Sequence, residues 1–302
     1  MTAFDYFIVE FRSIEIGELI YRLIDLGLLR HYSECIHCSH PMKLCSRLDV
    51  LDKFAWRCNN INCFKYQSHQ SIRNGSFFEF FPKTQLKDVF STIFYFSQEK
   101  SISTVVQDFE ISETVAISIY NQIRETISVY LFENPIQLGG EWKLCQIDES
   151  MFCHKVKAHK GRSPKQQVWV FGICELDAQP SRNYMQVVDQ RNAETLLPII
   201  KRVCKPDTII HSDEWAAYNK LEEITGFQHD TVNHTFDFVD PKTWVHTQNI
   251  ESCWNRQKCR IKKMKGVMRE KLPSYLDEFM WRDLVGKPTC FPLYQLLRKY
   301  YH

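Results

Sequence analysis

The sequence predicts an α/β protein centred on a mixed β-sheet, with a small metal-held unit and a helical segment ahead of it. Three observations predict this. From Lys143 onward, three runs of strand length are followed by alternating helix and strand periods. Near the front, two cysteine pairs stand about twenty residues apart, the spacing at which two knuckles share one tetrahedral zinc ion. From Gln85 to Phe132, helical periodicity recurs three times, with serines placed to cap the later segments.

Taken in order, residues 1–32 form a leading segment. Ile16, Leu19, Ile20, Leu23, Ile24 and Leu28 recur at helical spacing and predict an amphipathic helix from Ile14 to Leu29. Residues 33–80 hold Cys35-Ile36-His37-Cys38, then Cys58 and Cys63. A unit this small has too little core to fold alone, so we expect a zinc ribbon with Cys35, Cys38, Cys58 and Cys63 as its four thiolates, and Cys45 and His37 in reserve. Buried free thiols are the alternative. Residues 83–134 carry helices over Gln85–Gln98, from Ser101 or Ser103 to Phe109, and from Ser112 or Glu113 to about Phe132. A short helix, a tight turn and a longer helix outline a helix-turn-helix, whose last helix enters the major groove; a plain three-helix bundle is the alternative. Asn134-Pro135 through Gly139-Gly140 reads as a linker. Residues 140–285 carry strands at Lys143–Phe152, Gln167–Leu176 and Asn183–Val188, a helix at Asn192–Val203, a strand at Asp207–His211 and a helix at Glu214–Ile224. That is the element order of a ribonuclease H-like fold, a mixed sheet with helices on both faces. Residues 286–302 form a tail.

The chain has 302 residues, 44% hydrophobic and 25% charged, which allows a sizeable core in about two domains and excludes a disordered or fibrous class. Its formal charge is only +2, but the bases cluster at Lys155 to Lys165 and at Arg256 to Lys271, as expected of a local polyanion-binding surface. No stretch approaches the roughly 20 apolar residues of a membrane span, and Met1 to Asp5 lack the marks of a signal peptide. Twelve cysteines spread through a chain this long point to a reducing compartment rather than a disulfide framework.

Phosphoryl transfer with two metal ions needs carboxylates converging from separate elements. Asp148 lies in the first strand, Asp213 just past the fourth, and Glu251 on a late helix that continues into bases. Asp148 and Glu149 face opposite ways on their strand, and periodicity does not choose between them. Asp213 has a rival in Glu214 and could simply cap a helix. Glu251 and Lys258 are about two turns apart, so they share a helix face with Trp254 beside them.

Four ordered blocks carry a resemblance: Gln146-Ile147-Asp148-Glu149-Ser150; His211 through Tyr218; Val232-Asn233-His234; and His246-Thr247-Gln248-Asn249-Ile250-Glu251-Ser252-Cys253-Trp254. Together they resemble the ISXO-like DDE transposases, bacterial insertion-sequence enzymes with eukaryotic relatives called Merlin elements. The similarity covers nearly the whole chain, since that family also places a zinc ribbon and a helix-turn-helix before its catalytic domain. It implies that Asp148, Asp213 and Glu251 hold two Mg²⁺ ions, with Lys258 as the basic residue that follows. It also implies cleavage of double-stranded DNA at element ends, strand transfer into target DNA, and work as a homo-oligomer on DNA, in the nucleus of a eukaryotic host or otherwise in the cytoplasm. His246 and Asn249 are candidates to position the nucleophile or to orient Glu251. Candidate phosphate contacts are Lys155, Lys157, Lys160 and Arg162 after the first strand, and Arg256, Arg260, Lys262 and Lys263 on the late helix. The Cys58/Cys63 pair is wider than the usual bacterial knuckle. A domesticated DNA-binding protein and a ribonuclease H-like nuclease are the other two readings of these residues.

Overall fold

The computed structural model describes residues 13–109, 111–152, 168–176, 178–232 and 245–301. These fall into two compact units, one running to Thr126 and taking in Pro288 onward, the other Ile127–Lys287.

In the first unit, α1 (Ile16–Asp25) buries Leu19, Ile20 and Leu23. It is shorter than predicted because Gly27, at φ 69°, turns the chain left-handed, and the amides of Leu28 and Leu29 return to the Leu23 carbonyl. A left-handed glycine with such a back-bond is a helix stop signal. Strands β1 (Lys43–Ser46), β2 (Phe54–Arg57) and β3 (His69–Ser71) make a small antiparallel sheet in the order β1-β2-β3. Beside it, the buried Arg73 guanidinium donates to both oxygens of Asp52 and to the Phe81 carbonyl. Three helices follow, α2 (Leu86–Ser97), α3 (Ile102–Asp108) and α4 (Glu113–Glu133), the last of which belongs to this unit as far as Thr126. The Ser101 side chain accepts from the Thr104 amide at 3.1 Å, as its capping position predicted. Nearly every residue of α2 is buried, so it is the centre of this unit. The Arg124 guanidinium on α4 is buried over the rings of Phe96 and Tyr120.

The second unit holds, among the described residues, a five-stranded mixed sheet ordered β6-β5-β4-β7-β8. Its strands are β4 (Leu144–Met151), β5 (Trp169–Glu175), β6 (Arg182–Val188), β7 (Ile209–Asp213) and β8 (Gln228–Val232). β4, β5 and β6 are antiparallel, while β7 and β8 run parallel to β4. On one face, Cys145, Ile147, Phe171 and Ile173 pack against Leu196, Leu197, Ile200 and Val203 of α5 (Ala193–Val203). The other face carries α7 (Gln248–Lys263) against β4 and β5, and α8 (Leu272–Val285) against β6. The last helix, α9 (Cys290–Tyr300), belongs to the first unit.

Two expectations are corrected by the structure. The helix predicted over Glu214–Ile224 is broken into a 3₁₀ turn at Ala216–Tyr218 and the short α6 (Leu221–Thr225). Its start fails because the Trp215 amide donates to the Asp213 side chain, holding Trp215 extended at φ −67°, ψ 130°. The predicted strand Asp207–His211 lies two residues later, so Asp213 is the final residue of β7 rather than a residue beyond it. No helix among the described residues is long and apolar enough to cross a membrane.

Candidate active site

The site is organised by one alignment, that of β4 with α7. On a strand, alternate residues share a face; on a helix, residues four apart do. Two strand residues advance about 6.7 Å and four helical residues about 6 Å, so the two ladders can run in step. Here they do. Gln146 meets the first turn of α7, Asp148 meets Trp254, and Ser150 meets Lys258. Trp254 Nε1 donates to Asp148 Oδ2 at 3.0 Å, and Lys258 Nζ donates to Ser150 Oγ at 2.6 Å with its ammonium 5.6 Å from the centre of the Phe152 ring.

Gln146 is fully buried and all its hydrogen-bonding capacity is in use. Its Nε2 lies 2.6 Å from the His246 carbonyl oxygen and 3.1 Å from His246 Nδ1, while its Oε1 accepts from the amides of Asn249 (2.9 Å) and Ile250 (3.1 Å). It therefore fixes the end of α7 that carries Glu251. Losing the side chain would strand two helix N-terminal amides in a buried place. Gln146→Leu is accordingly expected to destabilise the protein by about 2–4 kcal/mol, read as a lowered urea midpoint. An unchanged midpoint would mean that the bridge is ornamental.

Asp148 shares a face with Gln146 and Ser150 and so points toward α7, whereas Glu149 points to the opposite side, where the Tyr218 hydroxyl donates to it. Directly across from Asp148 on β5 is Gly172. A Cβ there would collide with the six-membered ring of Trp254, so only glycine lets the indole come close enough to reach the carboxylate. Asp213 Oδ1 accepts from the Trp215 amide at 3.1 Å, and Glu251 Oε1 accepts from Thr247 Oγ1 at 3.2 Å.

Burial pushes the Asp148 carboxyl up to about 6, against the lowering effect of the Glu149 amide and Trp254, and the charges of Asp213 and Glu251 push it further up. Glu149 is pushed up to about 7, also by burial first. Both are acids whose folded state holds the proton more tightly than the unfolded chain does. Their contribution to stability thus improves as pH falls from about 7 toward about 4, where the unfolded chain also takes up the protons, and above that window the ionised pair is a cost. In metal-free protein, Asp148→Asn is expected to raise stability at pH near 7.5 by about 1–3 kcal/mol, by about half as much near pH 5, and to change it little near pH 3.5. Equal effects at all three pH values, read by thermal melting, would contradict this origin.

The remaining candidates divide. His246 sits at the start of α7, held by Gln146, and Asn249 is exposed in the first turn, engaged through its amide. Lys262 and Lys263 are exposed at the far end of the helix. Arg256 and Arg260 are engaged within the protein: the buried Asp283 carboxylate of α8 accepts from Arg256 (2.9 Å), Arg260 (3.3 Å), Gln257 (2.9 Å) and Asn183 (2.8 Å). Lys155, Lys157, Lys160, Arg162, Asn233 and His234 lie outside the described residues. Sequence reasoning missed Gln146, Gly172 and Asp283 as parts of the site. The period-two set Gln146, Asp148, Ser150 and the glycine inside an apolar strand were the available signals.

In the first unit, Cys35, Cys38, Cys58 and Cys63 converge, all four Sγ atoms within 4.8 Å of one another. Cys35 and Cys63 are 3.9 Å apart and Cys38 and Cys58 3.8 Å; a tetrahedron with Zn–S of about 2.3 Å has edges of about 3.8 Å. The group therefore fits zinc in both donor type and size. The wider Cys58/Cys63 pair is accommodated by a turn in which the Asn60 side chain accepts from the Asn62 amide and the Asn60 carbonyl from the Cys63 amide. The His37 amide holds the Cys35 thiol low, at about 6, whereas burial pushes Cys58 up and Cys63 up to about 12, so in the metal-free cluster the four thiols do not all ionise and the cation itself would have to hold them as thiolates. Of the reserves, Cys45 donates to the Ala55 carbonyl and His37 packs edge-on against Phe64, both outside the cluster. Among the described residues, only the thiols gather this tightly; Asp213 and Glu251 are related to Asp148 by the effect of their charges on it.

Comparison with known proteins bears on the same residues. Residues 139–283 match the ISXO2-like transposase domain, a span that takes in Asp148, Asp213, Glu251 and Lys258. An uncharacterized transposase-like protein of Haemophilus influenzae is 33% identical over 99 residues, covering 33% of this chain and 78% of that one. Among solved structures, a chain of a simian T-cell lymphotropic virus intasome in complex with PP2A regulatory subunit B56 gamma aligns at 11% identity and TM-score 0.32, covering 63% of this chain and 67% of the other. The Mos1 strand transfer complex aligns at 9% identity and TM-score 0.30, covering 71% and 75%. Likenesses that slight carry no argument. The match over the sheet domain and the bacterial relative suffice: the chain belongs to the ISXO2-like transposase family.

Proposed function

We propose that this transposase cuts double-stranded DNA at the ends of its own element and joins the freed ends to target DNA, using divalent metal held by Asp148, Asp213 and Glu251. The observation that carries the reading is the β4–α7 alignment, which turns Asp148 toward the helix bearing Glu251 and brings Asp213 into electrostatic range of Asp148 from the neighbouring strand. Three carboxylates at one end of a sheet are hard oxygen donors suited to Mg²⁺ or Mn²⁺. Two such ions, when bound, would activate the attacking oxygen and stabilise the leaving one.

The chain's own residues do the rest. Trp254 and the Glu149 amide aim Asp148, the Trp215 amide aims Asp213, and Thr247 aims Glu251. Lys258, steadied by Ser150, offers an ammonium to a phosphate beside those carboxylates. Lys262 and Lys263 extend the positive surface, whereas Arg256 and Arg260 chiefly anchor α7 to α8 through Asp283. The four-cysteine unit, holding zinc, would be a ribbon positioned on DNA. The helix-turn-helix reading of α2–α4 has less behind it, because the outward residues of the first turns of α4 are Glu113, Thr114, Ile117 and Ser118, with no base among them. Two element ends must be cut together, which favours a homo-oligomer on DNA.

The test is to incubate purified full-length protein with Mg²⁺ or Mn²⁺ and a labelled duplex carrying the gene's own flanking sequence. The expected result is nicking at one fixed boundary, with binding that weakens steeply as salt rises. Binding without any cutting would support a domesticated DNA-binding protein instead.

A further inference from the structure

The catalytic end of the sheet carries an arrangement that the proposed metal chemistry does not use. The Arg191 guanidinium, in the loop after β6, lies 3.6 Å from the centre of the Trp169 ring and 5.2 Å from that of Trp215. Trp215 Nε1 donates back to the Arg191 carbonyl at 3.3 Å, so the loops after β6 and β7 are latched together. Trp169 opens β5 and pairs with Met151 at the end of β4 and with Val188 at the end of β6. All of this sits at the sheet end where Asp213 closes β7. Trp215 is nonetheless 40% exposed.

A large indole that is held in place and still open is unusual as mere packing. Its polar edge is bonded, Arg191 lies against one side, and its own amide supports Asp213. A guanidinium between two indoles fixes the outer ring without burying it and keeps positive charge nearby, which suits a π-face beside a polyanion.

We propose that Trp215, backed by Arg191 on Trp169, is a stacking platform for an unstacked nucleobase next to the phosphate that Asp213 addresses. The inference rests on the transposase reading. Asp213 and Trp215 belong to one turn, so a nucleotide whose phosphate reaches the carboxylate has a neighbouring base within reach of the indole. Stacking reads no sequence, since every base has a π-face, so this subsite would hold the strand in position for cleavage while leaving recognition of the end sequence to other contacts.

The test is a double-mutant cycle measured by binding, with Ca²⁺ in place of Mg²⁺ and the duplex carrying the gene's own flanks. Trp215→Ala is expected to weaken binding about 5- to 150-fold and Trp215→Phe much less. Removing the base at one position beside the boundary should cost wild type the same factor and cost Trp215→Ala nothing further. Losses that simply add, or a Trp215→Ala protein that binds as wild type does, would overturn the platform. A melting curve for each variant separates loss of the contact from loss of the fold, and Trp215→Phe carries the comparison if the alanine variant melts early. If wild type cuts at the boundary while the cycle is additive, only this inference fails. If wild type neither binds nor cuts its own ends, the transposase reading fails and takes this inference with it.

Discussion

Asp213→Asn is expected to lower metal-dependent DNA cleavage on the order of 10³-fold or more while leaving the melting temperature within about 2 °C of wild type. The size follows from the role: metal stabilisation of charge in phosphoryl transfer contributes several kcal/mol, and each 1.36 kcal/mol is about tenfold in rate. The small effect on stability follows from the geometry, because asparagine keeps the oxygen that accepts from the Trp215 amide. Cleavage time courses beside thermal melts check both halves. A variant that still cuts within about tenfold of wild type would remove Asp213 from the metal-binding set.

Chelation, or Cys63→Ser, is expected to unfold the four-cysteine unit. Its strands are three or four residues long, and beyond that three-stranded sheet it holds a single 3₁₀ turn at Phe77–Phe80. Structural zinc in comparable small units is worth roughly 10–16 kcal/mol, far more than such a sheet could supply. Colorimetric zinc release with thiol counting should return one zinc and four newly reactive thiols per chain, together with loss of DNA binding. Cys45→Ser should release nothing, because Cys45 hydrogen-bonds to the Ala55 carbonyl outside the cluster. A protein purified without zinc that keeps its melting profile would refute the metal-held unit.

The elements most legible in the sequence are those whose periodicity is strong. β5 and α5 emerge close to their expected bounds because a nearly all-apolar run and an Asn192 cap leave little choice. β8 escapes sequence reading because Gln228-His229-Asp230-Thr231-Val232 is a polar edge strand, and edge strands carry charge to discourage further pairing. The helix after Asp213 is misread because Ser-Asp-Glu looks like a cap, while the Asp213 side chain instead holds Trp215 extended. The carboxylates themselves are visible as residue types, but the choice between Asp148 and Glu149 as the one facing α7 depends on pairing with a helix about a hundred residues away. The basic run on α7 shows the limit most clearly. Arg256 and Arg260 read as phosphate contacts until Asp283, from the next helix, is seen between them.

The central claim is that Asp148, Asp213 and Glu251 together hold the catalytic metal, and affinity cleavage tests it most directly. Fe²⁺ with ascorbate and peroxide, added to zinc-loaded protein, should cut the polypeptide near the end of β4, at the end of β7 and in the first turn of α7, with excess Mg²⁺ protecting all three. Cuts confined to the cysteine unit, or cuts near these residues that survive in Asp148→Asn/Asp213→Asn protein, would contradict the claim.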